Sequence, residues 1–284
     1  MIKNDATLQM IWAAELDIMD VFHGVCMSEG LKYSLAFGSL IGAVRHKGFI
    51  PWDDDIDVIM PRKDYDRLLQ IWHERAPKGY IIQNKNTDPD FEQNFSKIRK
   101  DGTTFIQEEK EYGKCYHKGV FIDVAPCDRV AKGTLKKQFQ YLCCAVNLLF
   151  SKEHTSGNGG AIGAFERFLL RLPTKWRPGI RERAEKAQSK WQNESSLMLM
   201  CTDTIQNCRR YFPPDLFDEL HLMNFEDREY FAIARPEDFL IVRYGNYMQL
   251  PPEEERVWKH HPIMLDFEHN YEEISDKNEI AFDD

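Results

Sequence analysis

The chain has no Cys-x-x-Cys pair, no long apolar run and no excess of positive charge, and each absence closes off a class of protein. Its seven cysteines are an odd number without framework spacing. Cys143 and Cys144 are adjacent in an apolar stretch, and Cys201 and Cys208 stand apart. They read as small buried hydrophobes in a reducing compartment. The most apolar run, Tyr141 to Phe150, is about half the length that spans a bilayer. The first residues, interrupted by Lys3, Asp5, Glu15 and Asp17, show no secretory signal. The expected location is the cytoplasm, either free or at the inner face of a membrane, with no transmembrane segment. A net charge of −9 repels a polyanion on average, so nucleic acid is not an expected partner. A local basic pocket for a small phosphate-bearing ligand stays open.

What is present fits a globular protein. Of 284 residues, 43% are hydrophobic and 29% charged, enough core for one large domain or two small ones. Leu8, Ile11, Trp12, Leu16, Met19 and Phe22 recur at helical spacing within Ala6 to Glu29, and Gly30 is a stop. Strands are expected at Lys32 to Phe37, Asp55 to Met60, Tyr80 to Gln83, Phe95 to Arg99 and Val120 to Val124. Short helices are expected at Leu40 to His46 and Arg62 to Glu74. From Thr134 the pattern turns helical, over Thr134 to Phe150, Ala161 to Leu170 and Ile180 to Gln192. Ser156 to Gly160 reads as a flexible connection. A hairpin over Phe225 to Ile233 turns at Glu226-Asp227, and Pro236 to Tyr244 is a last helix. The fold class is α+β: a mixed-sheet core with flanking helices and a helical insert. The expected division is a catalytic core at 1–133, a mainly helical part at 134–270 that completes the acceptor site, and an acidic, frayed tail at 271–284.

Three elements carry chemistry. In Pro51-Trp52-Asp53-Asp54-Asp55-Ile56-Asp57-Val58, carboxylates occupy alternate positions 53, 55 and 57. On extended chain these point the same way. Like charges crowded on one face need neutralising, and a hard cation such as Mg2+, or Mn2+, takes oxygen ligands of this kind. Phe37-Gly38-Ser39-Leu40-Ile41-Gly42 is a small turn opening a helix, where backbone N–H groups can approach a phosphate. In Gly119-Val120-Phe121-Ile122-Asp123-Val124 a lone Asp interrupts an apolar strand and needs a partner or a metal. Asp55, Asp57 and Asp123 are therefore the candidate catalytic and metal-binding residues, with Asp123 either a ligand or a general base.

A Gly-Ser turn, an Asp-x-Asp strand and a third acid on a neighbouring strand make the nucleotidyltransferase pattern. Phe37 to Asp66 resembles the LicD/fukutin-related family more closely. Gly38-Ser39-Leu40-Ile41-Gly42-Ala43-Val44-Arg45-His46 and Gly48-Phe49-Ile50-Pro51-Trp52-Asp53-Asp54-Asp55-Ile56-Asp57 look like its signature nearly complete. Gly119 to Pro126 is similar to its later acidic segment. Tyr244-Gly245-Asn246-Tyr247-Met248, with Pro251-Pro252 and His260-His261, looks like its C-terminal signature. The resemblance implies transfer of phosphocholine, or a related phospho-substituent, from a CDP-activated donor such as CDP-choline. The acceptor would be a sugar hydroxyl of a cell-surface glycan: lipopolysaccharide, teichoic acid or capsule, lipid-linked or free. The zinc-binding cysteine cluster of the animal fukutin-related proteins is not evident, so no zinc is expected. Two other readings remain: a nucleotidyltransferase that leaves a nucleoside monophosphate on its acceptor, and a non-catalytic nucleotide- or sugar-binding protein.

Further candidates each have a plain alternative. Gly38 and Ser39 would hold phosphate oxygens. Arg45 and His46 would contact donor phosphate or form a solvated basic end. Lys97 and Arg99, alternating on a strand, would line an anionic pocket or guard an exposed edge. Trp52 would stack on a base, cap a choline, or sit in the core. Tyr244, Tyr247 and Trp258 would cage a quaternary ammonium or simply pack. His260 would ligate metal, contact the acceptor, or serve the fold.

Overall fold

The helical stripe of the first segment does form a long helix, α1 (Ala6–Glu29), and its apolar residues enter the main core. In the computed structural model, residues 6–88, 90–152, 160–194, 197–258 and 260–274 are described. Pro89, most of the expected connection (156–159) and the end of the acidic tail lie outside them. After α1 come β1 (Ser34–Leu35), α2 (Phe37–His46), β2 (Asp57–Pro61), α3 (Arg62–Arg75), β3 (Tyr80–Gln83), β4 (Ser96–Lys100), β5 (Thr104–Ile106) and β6 (Phe121–Arg129). The remainder holds α4 (Thr134–Lys152), α5 (Gly160–Leu169), α6 (Arg177–Ser189), β7 (Leu199–Cys201), β8 (Leu220–Phe225), β9 (Arg228–Ile233), α7 (Pro236–Tyr244) and β10 (Met264–Asp266).

The main sheet runs β1-β2-β6-β4-β3, with β7 also paired to β6. β2 and β6 are parallel, and the other pairs are antiparallel. The fold is thus α+β with a mixed sheet, as the sequence implies. β6 is the spine: its first half pairs β4, its second half pairs β7, and β2 lies along the other edge. Two-stranded sheets β8-β9 and β5-β10 accompany it. The hairpin turns at Glu226, which has φ 58°.

Several boundaries differ from the sequence expectation. The strand expected at Lys32 to Phe37 is cut to Ser34–Leu35, because Phe37, at φ 45°, already begins α2. Asp55 stands before β2 in extended chain, and β2 starts at Asp57. β5, β7 and β10 have three residues each, too few for a period to register.

The chain beyond residue 133 shares the core of the first part. Leu199, Cys201, Phe212, Phe225, Tyr230, Phe239 and Leu240 belong to the same cluster as Val58, Ile59, Ile122 and Val124. A smaller cluster of Val130, Cys144, Leu148, Met200 and Cys208 lies under the insert. Polar groups anchor the insert as well. Gln140 donates to the carbonyls of Arg129 and Gln188 at 2.8 and 2.6 Å, and Arg181 donates to Asn94 Oδ1 and the Gln93 carbonyl. At the start of α3, buried Arg62 makes a two-pronged pair with Asp128 at 2.7 and 3.0 Å, the geometry that suits guanidinium to carboxylate. All seven cysteines are unbridged, and all but Cys115 are buried. Among the described residues no helix is long and apolar enough to cross a membrane.

Candidate active site

The parallel register of β2 and β6 sets Asp57 beside Asp123, on strands that lie about 4.8 Å apart. Antiparallel β4 sets Lys97 on the other side of Asp123. Lys97 Nζ donates to Asp123 Oδ1 at 2.6 Å and lies 3.3 Å from the Phe121 ring centroid. Asp55 and Asp53 precede Asp57 on the same side of the chain. Together with Asp57, Asp123 and Asp203 they line a cleft of about 270 Å3. The alternation expected over 53–57 holds, since Asp54 and Ile56 turn away and are buried.

The first turn of α2 is stitched to this acidic segment. The Asp57 N–H donates to Ser39 Oγ at 2.8 Å, and the Ala36 N–H donates to the Asp57 carbonyl at 2.9 Å. Gly38 faces Asp53 so closely that an added Cβ would stand 2.3 Å from Asp53 Oδ2. Trp12 on α1 donates from Nε1 to the Asp53 carbonyl at 2.8 Å. Asp54 accepts from the His260 N–H at 3.0 Å and lies 3.2 Å from His260 Nδ1. Each link runs to backbone or to the buried side of the segment, which leaves the cleft face to carboxylates.

Charge crowding leaves its mark on titration. Asp55 is pushed up to about 6 by burial, eased by His260 and reinforced by Asp123 and Asp54. Asp57 is raised well above the carboxylate range by burial and then by Asp55 and Asp123. Asp203 is also raised by burial, although Asn207 donates to both its oxygens, at 3.0 and 2.8 Å. His260 is raised despite its burial, through the Asp54 hydrogen bond and the charges of Asp55 and Asp54. A bound cation would relieve such crowding. Among the described residues no three carboxylate, imidazole or thiol groups converge on one point. Asp123 is turned to Lys97. Two carboxylates plus ligand phosphates are a common magnesium set, and Asp55 with Asp57 fits it.

The opposite wall carries residues that, Tyr244 apart, the sequence reading passed over. Arg243 and Tyr244 at the end of α7 line the cleft, as do Asp203 and Asn207 after β7. Arg243 Nε is buried and has no hydrogen-bond partner among the described residues. Arg243 stands next to Tyr244 in the C-terminal motif, and that adjacency was its signal. Asp203 and Asn207 lie in a loop whose place in the fold depends on β7, and nothing local marks them.

Other candidates are placed elsewhere. Gly38 lines the cleft, while Ser39 is buried with its hydroxyl committed to the acidic segment. Arg45 and His46 sit at the far end of α2. Arg45 donates to His46 Nε2 at 2.8 Å and to the Tyr247 carbonyl at 2.9 Å. Trp52 packs beside His46 with Arg256 over its ring, partly buried against the core. Arg99 is buried and donates to Gln83 Oε1 and the Gly119 carbonyl, so it faces neither the cleft nor an exposed edge. Lys97 pairs with an acid where an anionic pocket was one expectation. His260 acts on Asp54 from behind the acidic segment. Tyr247 and Trp258 pack against the core, and of the aromatic trio only Tyr244 borders the cleft.

A second cleft of about 270 Å3 meets the first at Phe95. Asn84, Asn86, Gln93, Asn94 and Ser189 line it, and its charges balance: Arg62, Lys85 and Lys186 against Asp66, Glu182 and Glu185. Asn94 Nδ2 is buried there without a partner among the described residues.

Comparison with known proteins places this geometry. A family profile described as the LicD/FKTN/FKRP nucleotidyltransferase domain matches residues 30–137. The chain is 31% identical over 252 residues to the lipopolysaccharide cholinephosphotransferase LicD of Haemophilus influenzae, covering 86% of this chain and 92% of that protein. It is also 36% identical over 62 residues to ribitol 5-phosphate transferase FKRP of Homo sapiens and of Mus musculus, 22% of this chain and 12% of each relative. The short match covers about a fifth of the chain, but the likeness to the Haemophilus protein extends well beyond the length of the domain profile, and the chain therefore belongs to the LicD family.

Proposed function

We propose that the protein transfers phosphocholine, or a closely related phospho-substituent, from a CDP-activated donor to a sugar hydroxyl of a surface glycan, with Mg2+ as cofactor. The observation that carries this reading is the Asp57–Asp123 register beside Asp55, in a chain matched along 92% of a cholinephosphotransferase.

Asp55 and Asp57 would hold the metal, which supplies charge neutralisation at the donor diphosphate and the transferring phosphoryl group. The N-terminus of α2 opens on the cleft through Phe37 and Gly38, and a helix N-terminus favours phosphate. Arg243, with its unpartnered Nε, faces the acids and suits a second phosphate contact. Asp123 stands ready to take the proton of the attacking hydroxyl, or to join the metal, once Lys97 yields it. The acceptor would approach over Phe95 from the second cleft, whose amides and balanced charges suit a neutral polyhydroxylated ligand.

The test is incubation of purified protein with CDP-choline, Mg2+ and a glycan acceptor, followed by mass analysis of both products. Release of CMP with phosphocholine on the glycan is the expected result. Release of phosphocholine with CMP left on the acceptor would select the nucleotidyltransferase reading. Absence of any donor cleavage would sink the catalytic reading.

A further inference from the structure

We propose that the exposed apolar and basic side chains of α5 and the turn after it, in the helical insert, rest on an anionic lipid bilayer. Charge is distributed very unevenly along this chain. Residues 132–190 hold twelve of its 37 Lys and Arg but four of its 46 Asp and Glu. That stretch therefore carries +8 and the rest of the chain −17. The same stretch leaves large apolar side chains in solvent. On α4, Leu135 is 82% exposed, and Phe139 and Leu142 follow at helical spacing on the same face. On α5, Phe165 and Phe168 share one face, with Phe168 62% exposed, and Trp176 in the next turn is 55% exposed. Exposed Arg167, Arg171 and Lys175 alternate with these aromatics.

Scattered exposed apolar residues need no explanation, but Phe165, Phe168 and Trp176 together on a stretch with Arg167, Arg171, Lys175 and Arg177 against Glu166 alone do. Aromatic and leucine side chains beside Lys and Arg are the composition of helices that lie in the bilayer interface. The rings enter the boundary of headgroups and acyl chains while the cations meet anionic lipid phosphates. A second copy of this chain would bring the same cations to a two-fold contact, and like charges would oppose it.

Vesicle co-sedimentation tests the surface. The full chain should sediment with vesicles of phosphatidylglycerol and phosphatidylcholine and stay in solution with phosphatidylcholine alone. Arg167→Glu, Arg171→Glu and Lys175→Glu combined should lower partitioning on the order of a hundredfold, the effect expected of three cations near an anionic surface. Phe165→Ser, Phe168→Ser and Trp176→Ser combined should also weaken it, with unchanged thermal melting as the control for folding. Wild-type protein that ignores phosphatidylglycerol vesicles would overturn the proposal, as would equal sedimentation with uncharged vesicles or equal partitioning of both variants and wild type. A dimer that the aromatic variant dissociates, without vesicle binding, would assign the face to self-association instead.

Discussion

The acidic cleft and the helical insert are opposites. In the cleft, Asp53, Asp55, Asp57, Asp123 and Asp203 face a single lining cation among the described residues, Arg243. In the insert, cations outnumber anions three to one, and apolar rings stand in solvent. The net charge of −9 averages these two fields and conceals both. The average argues against a polyanion for the chain as a whole, but it says nothing of a stretch that carries +8 locally. What the contrast teaches is that charge in this chain is sorted by task. On the proposed reading, the negative charge of the cleft would bind a cation and, through it, a phosphorylated donor. The insert combines positive charge with exposed rings, the pairing that the proposed bilayer contact would use.

The strongest way to break the comparison is at the cleft. Asp55→Ala and Asp57→Ala should each lower turnover on the order of 10³-fold or more, because both would hold the metal that neutralises the transferring phosphoryl group. Vesicle partitioning of both variants should match wild type, since neither acid lies in the insert. Turnover near wild type at saturating Mg2+ would end the metal reading, and lost partitioning would show that the two regions are not independent. The next effect belongs to Asp123→Asn. As a lost general base it should cut kcat by roughly 10²–10⁴-fold without changing the Mg2+ requirement. As a lost ligand it should raise the Mg2+ concentration needed for half-maximal rate. A variant with wild-type kcat and wild-type Mg2+ dependence would leave Asp123 a structural residue.

The site was legible to the extent that it is local. Asp53, Asp55 and Asp57 declare themselves by alternation, and Asp123 by interrupting an apolar strand. The strand pairing that sets Asp57 beside Asp123 needs only those two strands. Arg243, Asp203 and Asn207 could not be placed, because their contribution depends on where β7 and α7 dock. Lys97 and Arg99 show the limit from the other side. They alternate on one strand as the sequence says, yet one meets an acid across the sheet and the other is consumed by Gln83 and Gly119. The basic, aromatic insert was present in the sequence all along, but only exposure tells a docking face from a core face.

Lys97 offers a sharper test of how the cleft manages its charge. The Lys97–Asp123 pair is largely buried, and removing one partner of such a pair strands the other. Lys97→Met, which keeps contact with Phe121, should destabilise the metal-free protein by about 3 kcal/mol in chemical denaturation. Added Mg2+ should restore part of that loss by taking the stranded carboxylate. A variant as stable as wild type, or one indifferent to Mg2+, would show that the pair does not hold the cleft together.

The smallest expected effect lies beneath the cleft, at Glu15. This residue sits on the apolar face of α1, is 2% exposed, and has Oε2 without a hydrogen-bond partner among the described residues. Burial raises its pKa well above the glutamate range, and the fields of Asp55, Asp54, Asp53 and Asp123 raise it further. The folded protein therefore keeps a proton on Glu15 at pH values where the unfolded chain has released it. The unfolded state binds fewer protons, so this group's contribution to stability falls as pH rises from about 4.3 towards its folded pKa. Glu15→Gln places a neutral group of similar shape in the same position and is free of that loss. The variant should melt close to wild type near pH 4 and progressively above it as pH rises to about 7. Mg2+ should narrow the gap at pH 7, because a cation in the cleft cancels part of the field that reaches α1. Melting curves of both proteins across that pH range, with and without Mg2+, check the prediction. A gap that stays constant with pH would mean that the substituted amide differs from the Glu15 carboxyl in packing alone, and that the field of the cleft ends before the helix beneath it.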